Sequence, residues 1–217
     1  MLHPKLKLSF YKNKFNNCKC FIIGTGPSIK KQDLSLISDQ FIIGVNSFYN
    51  HEIKSNFYVI SDHEVWKFHK ESIKKRCLEN CNEVFLCTPY LSKEQFVVNC
   101  KIKLNDLSES YDLDWYDANK GVYRSGTVII AALQIAFYMG VNKVFLLGCD
   151  CEYKKDQEHF DNTKVCGVKK NNWERVFRQY DSVKNYYDKY EKPIFNCTYG
   201  GKLEVFPRIT LEEAISC

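Results

Sequence analysis

No apolar run in this chain is long enough to cross a bilayer: the longest, Val128 to Met139, is interrupted by Gln134, where a spanning helix needs about 20 apolar residues. The first 19 residues contain no acid and lack the unbroken apolar core of a signal peptide, so a cytoplasmic protein is expected. The eleven cysteines lack C-x-x-C spacing: Cys18/Cys20 and Cys149/Cys151 are C-x-C pairs, and Cys77 and Cys81 lie four apart. That spacing argues against a zinc site. The odd count, without an export signal, argues against a disulfide scaffold, and the position of Cys20, Cys87 and Cys149 in strand-like runs predicts reduced, buried thiols. Internal repeats and low-complexity segments are missing too. Beyond the amino terminus lysines alternate with acids and no nucleic-acid-binding motif appears, so nucleic acid is not an expected partner.

What is present is a globular composition, 45% hydrophobic and 26% charged over 217 residues. It predicts a single domain over residues 20–217, preceded by a basic arm over 1–19. Lys5, Lys7, Lys12, Lys14 and Lys19 account for the net charge of +5. The arm is read as a solvated tail able to touch an anionic membrane surface. Short apolar, β-rich runs recur at Cys20 to Ile23, Phe41 to Val45, Phe57 to Ile60, Val84 to Cys87, Lys143 to Leu147 and Ile194 to Cys197. Helical stretches lie between them at His63 to Glu79, Thr127 to Met139 and Asn172 to Tyr190. Alternation of this kind predicts an α/β fold, a Rossmann-like three-layer sandwich on a mainly parallel sheet. The helix at Thr127 is apolar nearly all round and should be buried on both sides.

The stretch Phe21 to Ser28 runs from a strand straight into a turn of small residues, Gly24-Thr25-Gly26-Pro27-Ser28. Glycines there let an anion approach main-chain N–H groups, and Ser28 offers a hydroxyl and an N-cap for a helical segment through Leu36. It is neither the full G-x-G-x-x-G fingerprint nor a phosphate loop ending in Gly-Lys-Ser/Thr. Other motifs end strands in the same way: Gly44-Val45-Asn46-Ser47, Ser61-Asp62 and Gly148-Cys149-Asp150. Arg124-Ser125-Gly126-Thr127 opens the buried helix with hydroxyls, N–H groups and a guanidinium. Collected at one sheet edge, these residues make a nucleotide pocket. Two long connections, Asn105 to Arg124 and Cys151 to Asn171, flank it and read as binding loops, the first rich in acids and aromatic rings.

These motifs, with Gly140 to Asp150 and the tail Asn196 to Arg208, resemble the domain shared by archaeal 6-hydroxymethylpterin pyrophosphokinases and bacterial surface-glycan proteins, the MptE-like family. More distantly they are similar to single-domain bacterial sialyltransferases. The latter resemblance implies a transferase that binds a sugar nucleotide, for instance a CMP-linked donor, through Gly24, Gly26, Pro27, Ser28, Asn46, Ser125 and Gly126; Thr25, Asp62, Thr127 and Asp150 are placed in the nucleotide pocket by their position at the strand ends and turns. It implies no required metal and a glycan acceptor. His159 is then the candidate base, with Arg124 and Tyr153 as phosphate donors. Thr25 replaces the family asparagine, and the tyrosine behind the aspartate is shifted to Tyr153. The pyrophosphokinase resemblance implies ATP, a pterin and magnesium held by Asp62 and Asp150. A non-catalytic sugar-nucleotide-binding module is the third reading.

Overall fold

The computed structural model describes residues 7–80, 83–103, 117–152, 159–161 and 172–217. In chain order the elements are β1 (Lys19–Ile23), β2 (Ile42–Val45), β3 (Phe57–Ile60), α1 (His63–Asn80), β4 (Glu83–Leu86), β5 (Val97–Asn99), β6 (Ile102–Lys103), β7 (Val122–Tyr123), α2 (Val128–Tyr138), β8 (Lys143–Leu147), α3 (Trp173–Lys189), β9 (Ile194–Asn196) and α4 (Leu211–Ser216). Seven strands form one parallel sheet in the order β5-β4-β3-β2-β1-β8-β9, and β6 and β7 pair separately.

Each strand is short and apolar because both of its faces are covered. Along β1, Cys20 and Ile22 point into the core shared with α2 and α3, whereas Phe21 and Ile23 point into the core under α1 and α4. This period of two yields the three layers. Helix α2 is buried from Ile129 to Tyr138, as its all-apolar surface requires. Its one interior polar residue, Gln134, accepts from Tyr123 N at 2.9 Å and donates to Gly121 O at 3.1 Å, tying the helix to β7.

Three features depart from the sequence reading. Residues after Gly26 form two 3-10 turns, Pro27–Lys31 and Leu34–Ile37, in place of one helix, because Asp33 Oδ1 accepts from Ser35 N at 3.0 Å and restarts the chain there. Gly26, without a side-chain bond, holds the N-cap position expected for Ser28. β5, β6, β7 and α4 are additional elements, too short for periodicity to show, and β7 lies within the stretch Asn105 to Arg124, a loop in the sequence reading.

The lysine-rich start is docked, not solvated, over its described part. Leu8 and Tyr11 are buried, and Tyr11 OH donates to Glu83 while its ring packs edge-on against Phe57 and Phe85. Phe15 stacks on Phe41 at 4.6 Å, and Asn13 N and Phe15 N donate to Tyr138 O and Met139 O at the end of α2. Leu8 and Tyr11 thus bury while Phe10 and the neighbouring Lys7, Lys12 and Lys14 stay exposed. The described cysteines are all free, and seven of them are buried. Among the described residues no helix is long and apolar enough to cross a membrane.

Candidate functional site

From β1 the chain winds outward to β5, then returns to the other side of β1 to lay down β8 and β9. β1 runs on toward the α1/α4 face and β8 toward α3 on the other, so a crevice opens between their carboxyl ends. Open α/β sheets bind ligands at such a switch point. A cavity of about 390 Å³ lies there. Gly24, Thr25 and Gly26 line it from β1, Asn46 from β2, Ser61, Asp62 and His63 from β3 and the start of α1, and Gly148 to Glu152 from β8. Ser125, Gly126, Thr127, Val128 and Ile129 open α2 onto it, and His159, Trp173 and Tyr180 complete the wall. Ten of the residues singled out from sequence thus share one cavity. Pro27 and Ser28 sit behind the lining, Arg124 borders a neighbouring cavity, and Tyr153 lies outside the described residues.

The glycines of the first turn do different work from the phosphate cradle expected of them. Gly24 N donates to Leu147 O at 2.8 Å and Gly26 N to Gly148 O at 3.0 Å, so both N–H groups are used in joining β1 to β8. What the glycines supply is closeness. A Cβ on Gly24 would fall on the Gly148 carbonyl, and one on Gly26 would fall on the Asp150 carboxylate. The N–H groups left without a partner among the described residues include those of Thr25, Thr127 and Val128. Two of these stand at the positive end of α2, a ready anion site. Thr127 caps that helix, accepting from Ile129 N at 3.4 Å, and Ser125 Oγ donates to Thr127 O at 2.7 Å. Gly126 N is taken by Gln179 Oε1 at 2.9 Å, and a Cβ on Gly126 would lie 2.6 Å from Val176 Cγ2, so α3 presses this turn into place.

Asn46 sits at φ +43°, a left-handed backbone that asparagine tolerates, and its Oδ1 accepts from Ser61 N at 3.3 Å, joining the ends of β2 and β3. Asp62 Oδ1 accepts from Glu64 N at 2.8 Å and so caps α1. Asp150 is 8% exposed and accepts from Ser28 twice, from Oγ at 2.7 Å and from N at 3.2 Å. Gly201 closes beneath it: at φ +77° its Cβ would lie 2.7 Å from Asp150 O, and Lys202 N donates to that oxygen at 2.8 Å. Gly201 therefore supports the site from below.

Burial pushes the Asp150 carboxyl above its ordinary value, against the opposing hydrogen bonds from Ser28. A carboxyl raised on folding contributes stability below its unfolded value near 3.8 and loses it as pH rises through the higher folded value. Asp150→Asn is therefore expected to gain stability relative to the parent as pH climbs from below 4 and to hold that gain above the folded value. Thermal unfolding of both proteins across pH 3–7 checks this; a difference that does not change with pH would show that Asp150 ionises freely.

His159 Nδ1 lies 2.8 Å from Thr25 Oγ1. The next residue fastens it: Phe160 N donates to Thr25 O at 2.9 Å and its ring packs among Phe48 and His51. His63, a second histidine on the cavity, was missed from sequence, although its place directly after Ser61-Asp62 at a strand end was the available signal. The cysteines here are not reactive, since burial pushes the Cys151 thiol up to about 12 and Cys149 also well upward.

Magnesium in this cavity would call on Asp62 and Asp150. The donor set fits poorly, because both Asp150 oxygens are held by Ser28 and burial favours its neutral form, leaving one Asp62 oxygen without a hydrogen bond. Among the described residues no group of three metal-ligating side chains comes together.

A family model described as "6-hydroxymethylpterin diphosphokinase MptE-like" matches residues 3–156, which span β1 to β8 and most of the cavity. No curated protein and no solved structure matches the chain.

Proposed function

Since the chain belongs to the 6-hydroxymethylpterin diphosphokinase MptE-like family, we propose that it is a nucleotide-dependent transferase of surface-glycan assembly, moving a sugar from a nucleotide-activated donor to a glycan hydroxyl. The observation that carries this reading is the convergence of Thr25, Asn46, Asp62, the start of α2, Asp150 and His159 on the cavity at the sheet's switch point. The nucleotide phosphate is assigned to the free N–H groups of Thr127 and Val128, where the α2 dipole offsets its charge. Asn46 and Asp62 face the ribose and base.

In the transfer step the acceptor oxygen forms a bond to the anomeric carbon as the bond from that carbon to the phosphate oxygen breaks, and the nucleotide leaves with the electron pair. The acceptor proton needs a base. His159 serves as that base in the tautomer whose Nδ1–H donates to Thr25 Oγ1, which leaves a lone pair on Nε2.

The diphosphotransferase alternative uses the same cavity with ATP and magnesium, and it is disfavoured by the engagement of Asp150 with Ser28. Thermal unfolding with CMP, CDP, UDP, GDP, ADP and ATP, each with and without magnesium, separates the two. A rise of several degrees with a nucleoside mono- or diphosphate in the absence of metal is expected. Stabilisation by ATP only with magnesium would replace sugar transfer with diphosphate transfer, and no shift with any nucleotide would defeat both readings.

A further inference from the structure

A second cavity, of about 780 Å³, adjoins the first over the ends of β3, β4 and β5, and Ser61, His63 and Ser125 line both. Its character is different. Cys87, Pro89, Ile102, Val122, Tyr123 and Ala131 give it apolar walls, and no carboxylate lines it among the described residues. Tyr90 and Leu91 stand at its lip 60% and 80% exposed, yet the turn carrying them is fixed. Asn99 accepts from Ser92 N at 2.8 Å and donates to Ser92 O at 2.9 Å, while Thr88 Oγ1 donates to Tyr90 O at 3.1 Å. Exposed apolar side chains on a held turn beside a roomy apolar cavity mark a ligand-binding surface. Lys101 and Arg124 also line it, both exposed, and neither forms an ion pair among the described residues.

We propose that this cavity is a second ligand site for a molecule with an apolar ring- or chain-bearing body and an anionic end, the body lying against Tyr90, Leu91, Ile102 and Val122 and the anion reaching Lys101 and Arg124. Its role as the acceptor site rests on the transferase reading: the shared seam at Ser61, His63 and Ser125 is where an acceptor hydroxyl would meet the donor. Arg124 then serves the acceptor's anion and not the donor phosphate. Its placement on this cavity and the engagement of its backbone N with Lys103 O at 2.9 Å fit that role.

Two dyes with nearly the same body test it: anilinonaphthalene sulfonate, which is anionic, and N-phenyl-1-naphthylamine, which is neutral. Fluorescence titration of the folded protein is expected to show one bound sulfonate dye per chain. Combining Lys101→Ala with Arg124→Ala should weaken the sulfonate about tenfold or more and leave the neutral dye unchanged, since a charge-assisted contact is lost only for the anion. Leu91→Asp should weaken both. All three positions are exposed, and unchanged circular dichroism and Tm verify that the variants fold. Inorganic phosphate separates a bare anion site from the one proposed, for which displacement of the dye should need a large excess. Equal sulfonate affinity in the parent, the double variant and Leu91→Asp would overturn the proposal, as would ready displacement by inorganic phosphate. Nucleotide stabilisation measured on the same samples keeps the two readings apart: its absence in the parent removes the acceptor role and leaves the dye result to decide the cavity.

Discussion

Gly24→Ala is expected to lower the unfolding free energy by about 3 kcal/mol, and with it the Tm by roughly 6–12 °C, at the upper end of what overpacking costs in a chain of this size. Gly24 has no need of a left-handed backbone; its need is for space. The added methyl would fall on the carbonyl of Gly148, with the Gly148 carbonyl carbon at 3.0 Å and Leu147 O at 3.3 Å. These are main-chain atoms of the neighbouring strand and cannot swing aside. Relief requires β1 and β8 to part where Gly24 N donates to Leu147 O, at the floor of the cavity. Gly200→Ala is the comparison, because a Cβ there meets nothing within 4 Å and only the positive φ of +70° opposes it, a cost of about 1–2 kcal/mol. Urea unfolding of both variants measures the difference. Equal, small losses would mean that the strand ends are not in contact and that the switch-point cavity is built otherwise.

Gln179→Leu should strike binding as well as stability. Gln179 is fully buried on α3, and its Oε1 takes the N–H of Gly126. Leucine is similar in size but leaves that part-buried N–H without its partner, a loss of about 1 kcal/mol. The freed group belongs to the turn Ser125-Gly126-Thr127, which presents the free N–H groups of α2 to the phosphate. Nucleotide affinity is therefore expected to fall about tenfold in addition to the drop in Tm, because one lost phosphate contact is worth roughly 1.4 kcal/mol. Calorimetric titration of the folded variant separates these effects. Unchanged affinity in a less stable protein would assign Gln179 to packing alone and move the phosphate away from α2.

The gathering of these residues on one cavity was legible in the sequence because short strands end in residues that rarely serve as mere turns all at once. Gly24, Asn46, Asp62 and Asp150 each follow an apolar run, and a parallel sheet brings such ends to one edge. The wrong details share a physical cause: composition names the groups available, while partners decide which remain free. The N–H groups of Gly24 and Gly26 were consumed by β8, a strand far away in sequence. Ser28 spends its hydroxyl on Asp150 instead of capping a helix. Arg124 and Ser125 are adjacent in sequence, yet only Ser125 lines the first cavity as well as the second. The docking of residues 8–15 escaped notice because Tyr11 and Phe15 lie among lysines and show no periodicity, although their rings find Phe41, Phe57 and Phe85.

The central place of β1 also bears on how the chain is made. During synthesis β1 has β2 to pair with almost at once, but its other edge waits for β8, where Lys19 meets Lys143 and Ile23 meets Leu147. Until β8 has been synthesised, Cys20, Phe21, Ile22 and Ile23 present an open, uncharged strand edge, the kind of template on which nascent chains pair wrongly. The amino terminus completes its docking late as well, since Tyr138 O and Met139 O, which take the N–H groups of Asn13 and Phe15, appear only just before β8. Maturation of this protein should therefore be slow, with the crevice between β1 and β8 the last part to form.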